Sequence, residues 1–149
     1  QNGHAECVKA LLEKEADANR TNEKSGIFPL LIASQNGHAE CVKALLEKGA
    51  DANQKHEQSG NFPLLLASKN GHAGCVKALL EKEADANRTN EKSGIFPLLI
   101  ASQNGHAECM KALLEKGADA NQKHEQSGNF PLLLASKNGH AGCVKALLE

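Results

Sequence analysis

The feature that most constrains this chain is its internal repetition. Residues 1–81 and residues 69–149, which lie 68 positions further on, differ at only three positions. At half that distance the match stays high, because residues 1–34 and 35–68 differ at seven positions. The repeating unit is therefore 34 residues long and occurs in two alternating versions. A fixed period of this size predicts a solenoid, in which each unit buries its apolar face by stacking on its neighbours.

Each unit contains the signals of two short helices joined by a tight turn. The proline at position 29 suits the first turn of a helix, and the Asn-Gly pair at 36 and 37 ends the apolar run that follows. In the next segment, Cys41, Val42, Leu45 and Leu46 recur on one face of a second helix. The pattern predicts helix pairs near 29–36 with 39–48, 63–70 with 73–82, 97–104 with 107–116 and 131–138 with 141–149, and a lone helix near 5–14.

The rest of each unit is polar and predicts an extended finger between one helix pair and the next. Residues 50–61 lack apolar periodicity and contain a Ser-Gly turn at 59 and 60. Gly49 lies just after the second helix, where a left-handed residue commonly ends a helix. Glu15 and Glu83 stand at the equivalent positions of alternate units, and a left-handed Glu should cost about 1 kcal/mol.

The period alone leaves two classes of helical repeat open, because 34 residues is the tetratricopeptide length and one more than an ankyrin unit. The contents favour the second class, since Phe is the only aromatic type, occurs once per unit, and the predicted helices are short. The order of helix, tight turn, helix, Gly-Ala-Asp-Ala-Asn and finger resembles the ankyrin repeat along the whole chain, with the motifs NGH, VKALLEKGADAN and PLL-A. The resemblance implies an α-rich solenoid of stacked helix-turn-helix units with projecting β-hairpin fingers.

One motif of the ankyrin pattern is altered in all four copies. Its Thr-Pro-Leu-His stretch reads Phe-Pro-Leu-Leu here, at 28–31, 62–65, 96–99 and 130–133. Losing a Thr helix cap typically costs about 1 kcal/mol, whereas full burial of a large apolar side chain contributes roughly 1.5–3 kcal/mol. We therefore expect a buried ladder along the stack, made of Phe28, Phe62, Phe96 and Phe130.

The repeat boundaries divide the chain into a single array. We predict a partial repeat at 1–19, full repeats at 20–53, 54–87 and 88–121, and a truncated repeat at 122–149. Neither end carries a polar capping repeat, which solenoids need for solubility. We therefore expect the segment to be a piece of a longer array.

Residue types that could carry chemistry recur by translation instead of forming one cluster. A cysteine occupies the same position of every second helix, and stacked helices lie roughly 8–10 Å apart, too far for a disulfide. The spacing His38-x-x-Cys41 offers only two metal ligands per unit, so we expect the histidines to hold the inter-helix turns by hydrogen bonds. Without a unique set of nucleophile, base and stabiliser, we predict no catalytic residue, no metal site and no cofactor.

Charge and hydropathy indicate which partners are not expected. The net charge is −1 at pH 7 and Lys and Glu are interspersed, so neither nucleic acid nor an anionic membrane is a predicted partner. Apolar runs such as 28–33 are too short to cross a bilayer. Buried thiols suit a reducing compartment, and we therefore expect an intracellular, cytoplasmic location.

The two versions of the unit differ mainly in the finger, which contains five of the seven differing positions. A constant framework with a varied exposed segment is typical of a binding scaffold, although recent duplication followed by drift would leave the same pattern. In ankyrin proteins, fingertips and first helices form a concave groove that binds partners. The resemblance implies that the partner-binding residues here are Thr21, Asn22, Lys24, Ile27, Gln35, Lys55, His56, Gln58, Asn61, Lys69, Thr89, Asn90, Lys92, Ile95, Gln103, Lys123, His124, Gln126, Asn129 and Lys137.

Three classes of function remain open at this stage. The favoured one is a protein-protein interaction module or scaffold that binds another protein through the concave groove. The alternative is a structural or self-assembling rod, with end-to-end self-association through uncapped ends; an enzyme is the third. Because the groove positions carry several lysines, the groove should be mildly positive and should favour an extended partner segment of acidic character.

Overall fold

The computed structural model describes residues 4–149, so residues 1–3 of the predicted partial repeat 1–19 lie outside the described residues. Residues 4–149 contain nine helices and no strand. The helices are α1 Ala5–Glu13, α2 Pro29–Asn36, α3 Ala39–Glu47, α4 Pro63–Lys69, α5 Ala73–Glu81, α6 Pro97–Asn104, α7 Ala107–Glu115, α8 Pro131–Lys137 and α9 Ala141–Leu148. The predicted helix pairs and the lone first helix are confirmed.

The helices form two rows along the stack. In the first row, α2 contacts α4, α4 contacts α6, and α6 contacts α8. In the second row, α1, α3, α5, α7 and α9 contact one another in the same order. Within each unit the first helix packs on the second, as α2 does on α3. Each unit therefore packs on its sequence neighbours, as a solenoid requires.

The altered Phe position lies in the core between neighbouring units. Phe28, Phe62 and Phe96 are 1%, 2% and 0% exposed, so the predicted burial is confirmed for three of the four. Each precedes its helix in extended backbone, with proline at the first helical position, and no side chain caps these helix starts. Phe130 is 39% exposed because no further unit covers it in this chain. Burial of the ring thus accompanies the loss of the polar cap.

The fingers are compact loops, and the predicted β-hairpin strands are not observed among residues 4–149. In the first finger (22–27), the Asn22 N–H donates to the Ile27 carbonyl and the Gly26 N–H donates to the Asn22 carbonyl, both at 2.7 Å. The same pair of bonds closes the second (56–61), third (90–95) and fourth (124–129) fingers. No second rung of backbone bonds follows in any of these loops, so the arms continue to the next helix without pairing as strands.

Two sets of side chains tie each unit to its neighbour through backbone carbonyls. In the inter-helix turn, His72 Nε2 donates to the Gln35 carbonyl of the preceding unit at 3.0 Å. His106 and His140 make the equivalent bonds to Lys69 and Gln103, which bears out the expected role of these histidines. After the second helix, an asparagine amide bridges in the other direction. Asn19 Nδ2 donates to the Gly49 carbonyl at 3.0 Å, and its Oδ1 accepts the Asp51 N–H at 2.7 Å.

The residue after each second helix is left-handed in both versions of the unit. Glu15 and Glu83 have φ values of 66° and 65°, and Gly49 and Gly117 have φ values of 93° and 90°. A Cβ atom added at Gly49 would meet nothing within 4 Å. The difference between the two versions is therefore one of backbone strain alone, since a side chain has room at this position.

Replacing Glu83 with glycine should stabilise the array, because it removes the strain of a left-handed non-glycine residue. We expect Glu83→Gly to raise the free energy of unfolding by about 1 kcal/mol. Urea denaturation measures this change, and the dependence of the free energy on urea concentration should stay the same. The matched control is Gly49→Glu, which should lower the free energy of unfolding by a similar amount. Equal stability of all three proteins would show that the φ angle carries no cost here.

Removing the buried ring should destabilise the array far more than any surface change. We expect Phe62→Ala to cost about 3–5 kcal/mol, since it opens a cavity between two units. Phe130→Ala is the control, because Phe130 is 39% exposed and its ring is only partly covered. Thermal and urea unfolding measure both. If the two substitutions cost the same, the buried Phe positions are not what holds adjacent units together.

Candidate partner-binding groove

Finger loops and first helices border one face of the stack, which we call the groove face. A pocket of about 80 Å³ lies where they meet. The fingers contribute Asn61, Ser93 and Ile95 to its lining. The first helices α4 and α6 contribute Leu65, Leu66, Lys69 and Ile100. Three of the predicted partner-binding residues, Asn61, Lys69 and Ile95, therefore lie on a common surface, and the second helices lie behind it.

Most of the predicted partner-binding residues are exposed, but not all of them. The exposed ones are Thr21, Asn22, Lys24, Ile27, Gln35, Gln58, Lys69, Thr89, Lys92, Gln103, Lys123, Gln126 and Lys137. Those of intermediate exposure are Lys55, His56, Asn61, Ile95, His124 and Asn129. Asn90 is buried, with 3% of its surface exposed, so its side chain is directed into the stack and away from a partner.

The finger histidines join one finger to the next. His56 Nε2 donates to the Ser25 carbonyl of the preceding finger at 2.7 Å. Its Nδ1 lies 2.7 Å from the Ser59 Oγ and accepts the Ser59 N–H at 3.3 Å. A carbonyl can only accept, so the ring proton belongs on Nε2. His124 repeats this arrangement with the Ser93 carbonyl at 2.7 Å, and both rings are therefore structural contacts between fingers.

Asn90 joins the third finger to the second, just as His56 joins the second finger to the first. Its Nδ2 donates to the Ser59 carbonyl and to Asn61 Oδ1, each at 3.1 Å. Its Oδ1 accepts the backbone N–H groups of Lys92 at 2.8 Å and Ser93 at 3.2 Å. All polar atoms of this buried amide are thus paired, which explains why a polar residue is tolerated there.

Several cations of the groove face already have partners in the neighbouring finger. Lys55 Nζ lies 2.6 Å from Glu91 Oε1, and this contact raises the pKa of Lys55 and lowers that of Glu91. Lys92 Nζ donates to the Gln58 carbonyl at 2.7 Å. The Arg88 guanidinium donates to the Asn53 carbonyl and lies 4.9 Å from the centroid of the Phe62 ring. Of these three cations, only Lys55 has its charge balanced by a carboxylate, whereas Lys92 and Arg88 keep their positive charge.

The alternation between the two unit versions thus has a structural basis that sequence reasoning missed. Residues 54 and 88, just before the second and third fingers, and residues 56, 61, 90 and 92 within them all bond to residues of another unit. The available signal was that His and Asn alternate at one finger position, since both can donate to a carbonyl. The finger differences therefore serve unit-to-unit contacts as well as surface variation.

A second cleft, of about 530 Å³, lies between the third and fourth fingers. It brings together the predicted residues Thr89, Lys123 and Gln126, along with Glu91 and Glu125. Both charge signs line it, and it has no apolar floor of the kind found beside α4 and α6. It can therefore hold polar groups or water more readily than an apolar side chain.

The cysteines form a column in the second-helix row and remain thiols. Cys75, Cys109 and Cys143 are each 1% exposed and Cys41 is 6% exposed, whereas Cys7 is exposed. Burial, and to a lesser degree the neighbouring cysteine, raises the pKa of Cys75 and of Cys109 to about 11. The thiolate is the reactive form, so these buried thiols are poor nucleophiles at neutral pH.

The raised thiol pKa values predict a loss of stability at high pH. Above the ordinary value of 9.0, the unfolded chain releases thiol protons that the folded chain retains up to about pH 11. The free energy of unfolding should therefore fall across this window. The double variant Cys75→Ala, Cys109→Ala should show a shallower fall in urea denaturation at stepped pH. Parallel pH profiles for the two proteins would contradict the assignment to these thiols.

Two further features of residues 4–149 bear on what the chain can bind. None of its helices combines the length and apolar character needed to cross a membrane. In the same range, no group of three or more His, Cys, Asp and Glu side chains is placed to hold a metal ion. In three of the His-x-x-Cys spacings the histidine instead bonds a backbone carbonyl, as His72, His106 and His140 do.

Comparison with known families identifies the repeat. A family model described as ankyrin repeats (3 copies) matches residues 1–90 and 84–149, and so covers the whole chain. None of the curated proteins compared with the chain matches it significantly. The helix pairs, the left-handed residue after each second helix and the finger loops agree with the family match. The chain belongs to the ankyrin repeat family.

Proposed function

We propose that the groove face binds another protein. Ankyrin repeats are generally protein-interaction modules and are typically not catalytic, so the family supports a binding role. The predicted concave groove, an intracellular location and the absence of an enzymatic activity are parts of this proposal. The partner-binding residues are those predicted from the sequence, without Asn90, His56 and His124, whose side chains are engaged between fingers.

The observation that carries the proposal is a set of exposed lysines on the groove face that have no ion pair. On the second helices, Lys9, Lys43 and Lys111 each form an ion pair with a glutamate three residues earlier, whereas Lys77 and Lys145, which have glycine at that position, form none within residues 4–149. On the groove face, five exposed lysines form no ion pair within residues 4–149, namely Lys24, Lys69, Lys92, Lys123 and Lys137. Two finger carboxylates, Glu23 and Glu125, also form no ion pair within that range, but the unpaired cations outnumber them and favour a partner that supplies negative charge.

The partner that fits this face is an extended segment of acidic character. Exposed charges are screened within about 8 Å at physiological ionic strength, so binding should weaken as salt is added. Each exposed pair contributes little, typically about 0–1 kcal/mol. Affinity should therefore be modest unless apolar contacts add to it.

A structural rod is the second candidate, and the bonds between fingers favour it. Lys55, His56 and Asn90 all use their side chains to hold neighbouring units together. Analytical ultracentrifugation of the array fused to polar capping repeats separates the two functions. A monomer at all concentrations supports the binding module, whereas growth with concentration through lateral contacts supports the rod.

The binding face can be tested with charge-matched variants. A groove variant carries Lys24→Ala, Lys69→Ala, Lys123→Ala and Lys137→Ala. Its control carries Lys43→Ala, Lys77→Ala, Lys111→Ala and Lys145→Ala on the second helices. We expect partners captured by the native array, identified by mass spectrometry, to be lost about tenfold by the groove variant and retained by the control.

The opposite result would place the binding face on the second helices. If the control loses the partner while the groove variant keeps it, the proposal is wrong. Circular dichroism of both variants shows whether each still folds. The substituted lysines are exposed, so neither set should alter the helical signal.

A further inference from the structure

We propose that the pocket between α4, α6 and the third finger anchors one aliphatic side chain of an extended acidic partner segment. This inference rests on the proposed function, because it assigns a specific subsite on the same groove face. Leu65, Leu66 and Ile100 form the floor and are only 4%, 8% and 8% exposed. Ile95 is partly exposed at the side of the pocket, and Lys69 lies exposed at its rim.

The size of the pocket selects the kind of side chain. Its volume is about 80 Å³. A protein cavity of about 150 Å³ accommodates benzene, and a water molecule occupies about 30 Å³ in the liquid. The pocket is about half the volume of a cavity that holds a phenyl ring, so it favours a compact aliphatic side chain such as that of Val, Ile or Leu. Partial burial of such a group adds apolar contact to the small contribution of an exposed ion pair on this face.

The polar groups at the rim of the pocket favour particular groups on either side of the bound aliphatic side chain. Lys69 supplies a cation that has no ion pair within the described part of the chain. Asn61 Oδ1 accepts a hydrogen bond from the Asn90 amide, and the side-chain N–H groups of Asn61 can donate to a partner. A rim of donors around an apolar floor fits a segment that places acceptors on both sides of an aliphatic group.

Extended backbone supplies such an arrangement directly. Residues two apart on a strand-like segment point to the same side and lie about 7 Å from each other. An aliphatic residue with Asp or Glu two positions away therefore presents both groups to the groove face together. The carboxylate then reaches the Lys69 ammonium while the aliphatic group enters the pocket.

The chain itself provides selective reporters for this site. It contains four isoleucines, Ile27, Ile32, Ile95 and Ile100. Ile95 and Ile100 line the complete pocket. Ile27 and Ile32 occupy the same positions in the unit that follows α1, and residues 4–149 contain no first helix before α1 to supply the leucines and the lysine. Labelling the isoleucine δ1 methyl groups thus gives two reporters at the site and two internal controls.

The experiment titrates the methyl-labelled array with synthetic peptides at millimolar concentration and follows the four methyl signals by NMR. The probe is acetyl-Ser-Asp-Ser-Leu-Ser-Asp-Ser-amide. Its controls replace Leu with Ala, Leu with Phe, or both Asp with Lys. We expect the probe to shift the Ile95 and Ile100 signals more than those of Ile27 and Ile32, and each control peptide to shift them much less.

Two substitutions in the protein test the same contacts, and each introduces a residue that other units carry at that position. Ile95→Asn introduces the residue found at Asn61 and Asn129, and Lys69→Gln introduces the one found at Gln35 and Gln103. Both should therefore fold. We expect Ile95→Asn to weaken probe binding about tenfold, as measured by titration of the Ile100 methyl signal. We expect Lys69→Gln to weaken probe binding up to about fivefold.

The possible failures are distinguishable. Equal shifts with the Leu and Ala peptides would show that the groove binds acidic segments without using the pocket, which overturns this inference and leaves the proposed function standing. No shift of Ile95 or Ile100 with the probe would also overturn the pocket. Failure of the groove itself appears in the lysine variants described above, since they do not alter the apolar floor.

Discussion

The stack depends on side chains that donate hydrogen bonds to backbone carbonyls of an adjacent unit. His72 reaches back to Gln35, at the end of α2, and Asn19 reaches forward to Gly49, after α3. Carbonyls at helix ends lack intrahelical partners, so these bonds satisfy groups that only water would otherwise pair. Apolar burial supplies most of the favourable free energy, but these polar contacts set how one unit sits on the next.

How much the sequence reveals depends on whether a feature is determined within one unit. The bounds of α2 follow from the proline at 29 and the Asn-Gly pair at 36 and 37, all local signals. The burial of Phe62 follows from the apolar pattern repeated in each unit. The burial of Asn90 could not be predicted in this way, because its acceptor is the Ser59 carbonyl, 31 residues earlier. A polar residue in a polar segment is ordinarily solvated, and only the folded stack shows where its partner lies.

The finger contacts change the meaning of the two unit versions. At one finger position, His56 and Asn90 both donate to the serine carbonyl of the preceding finger, although their side chains differ in length and shape. Asn90 also needs Asn61 as an acceptor, and the first finger has Ile27 at that position. Each junction therefore joins unlike units, and the alternation is part of how the fingers pack. Drift after duplication does not by itself produce such pairing.

The surface that remains available to a partner repeats every two units. Where the finger carries Lys24, the following helix carries Gln35, and where the finger carries Gln58, the helix carries Lys69. Neighbouring helices in a row are roughly 8–10 Å apart, so the chemistry of the groove face recurs about every 16–20 Å. An extended chain covers that distance in about five to six residues. A segment whose acidic and aliphatic residues recur at this interval would meet equivalent groups along the stack, and one with a shorter repeat would fall out of register.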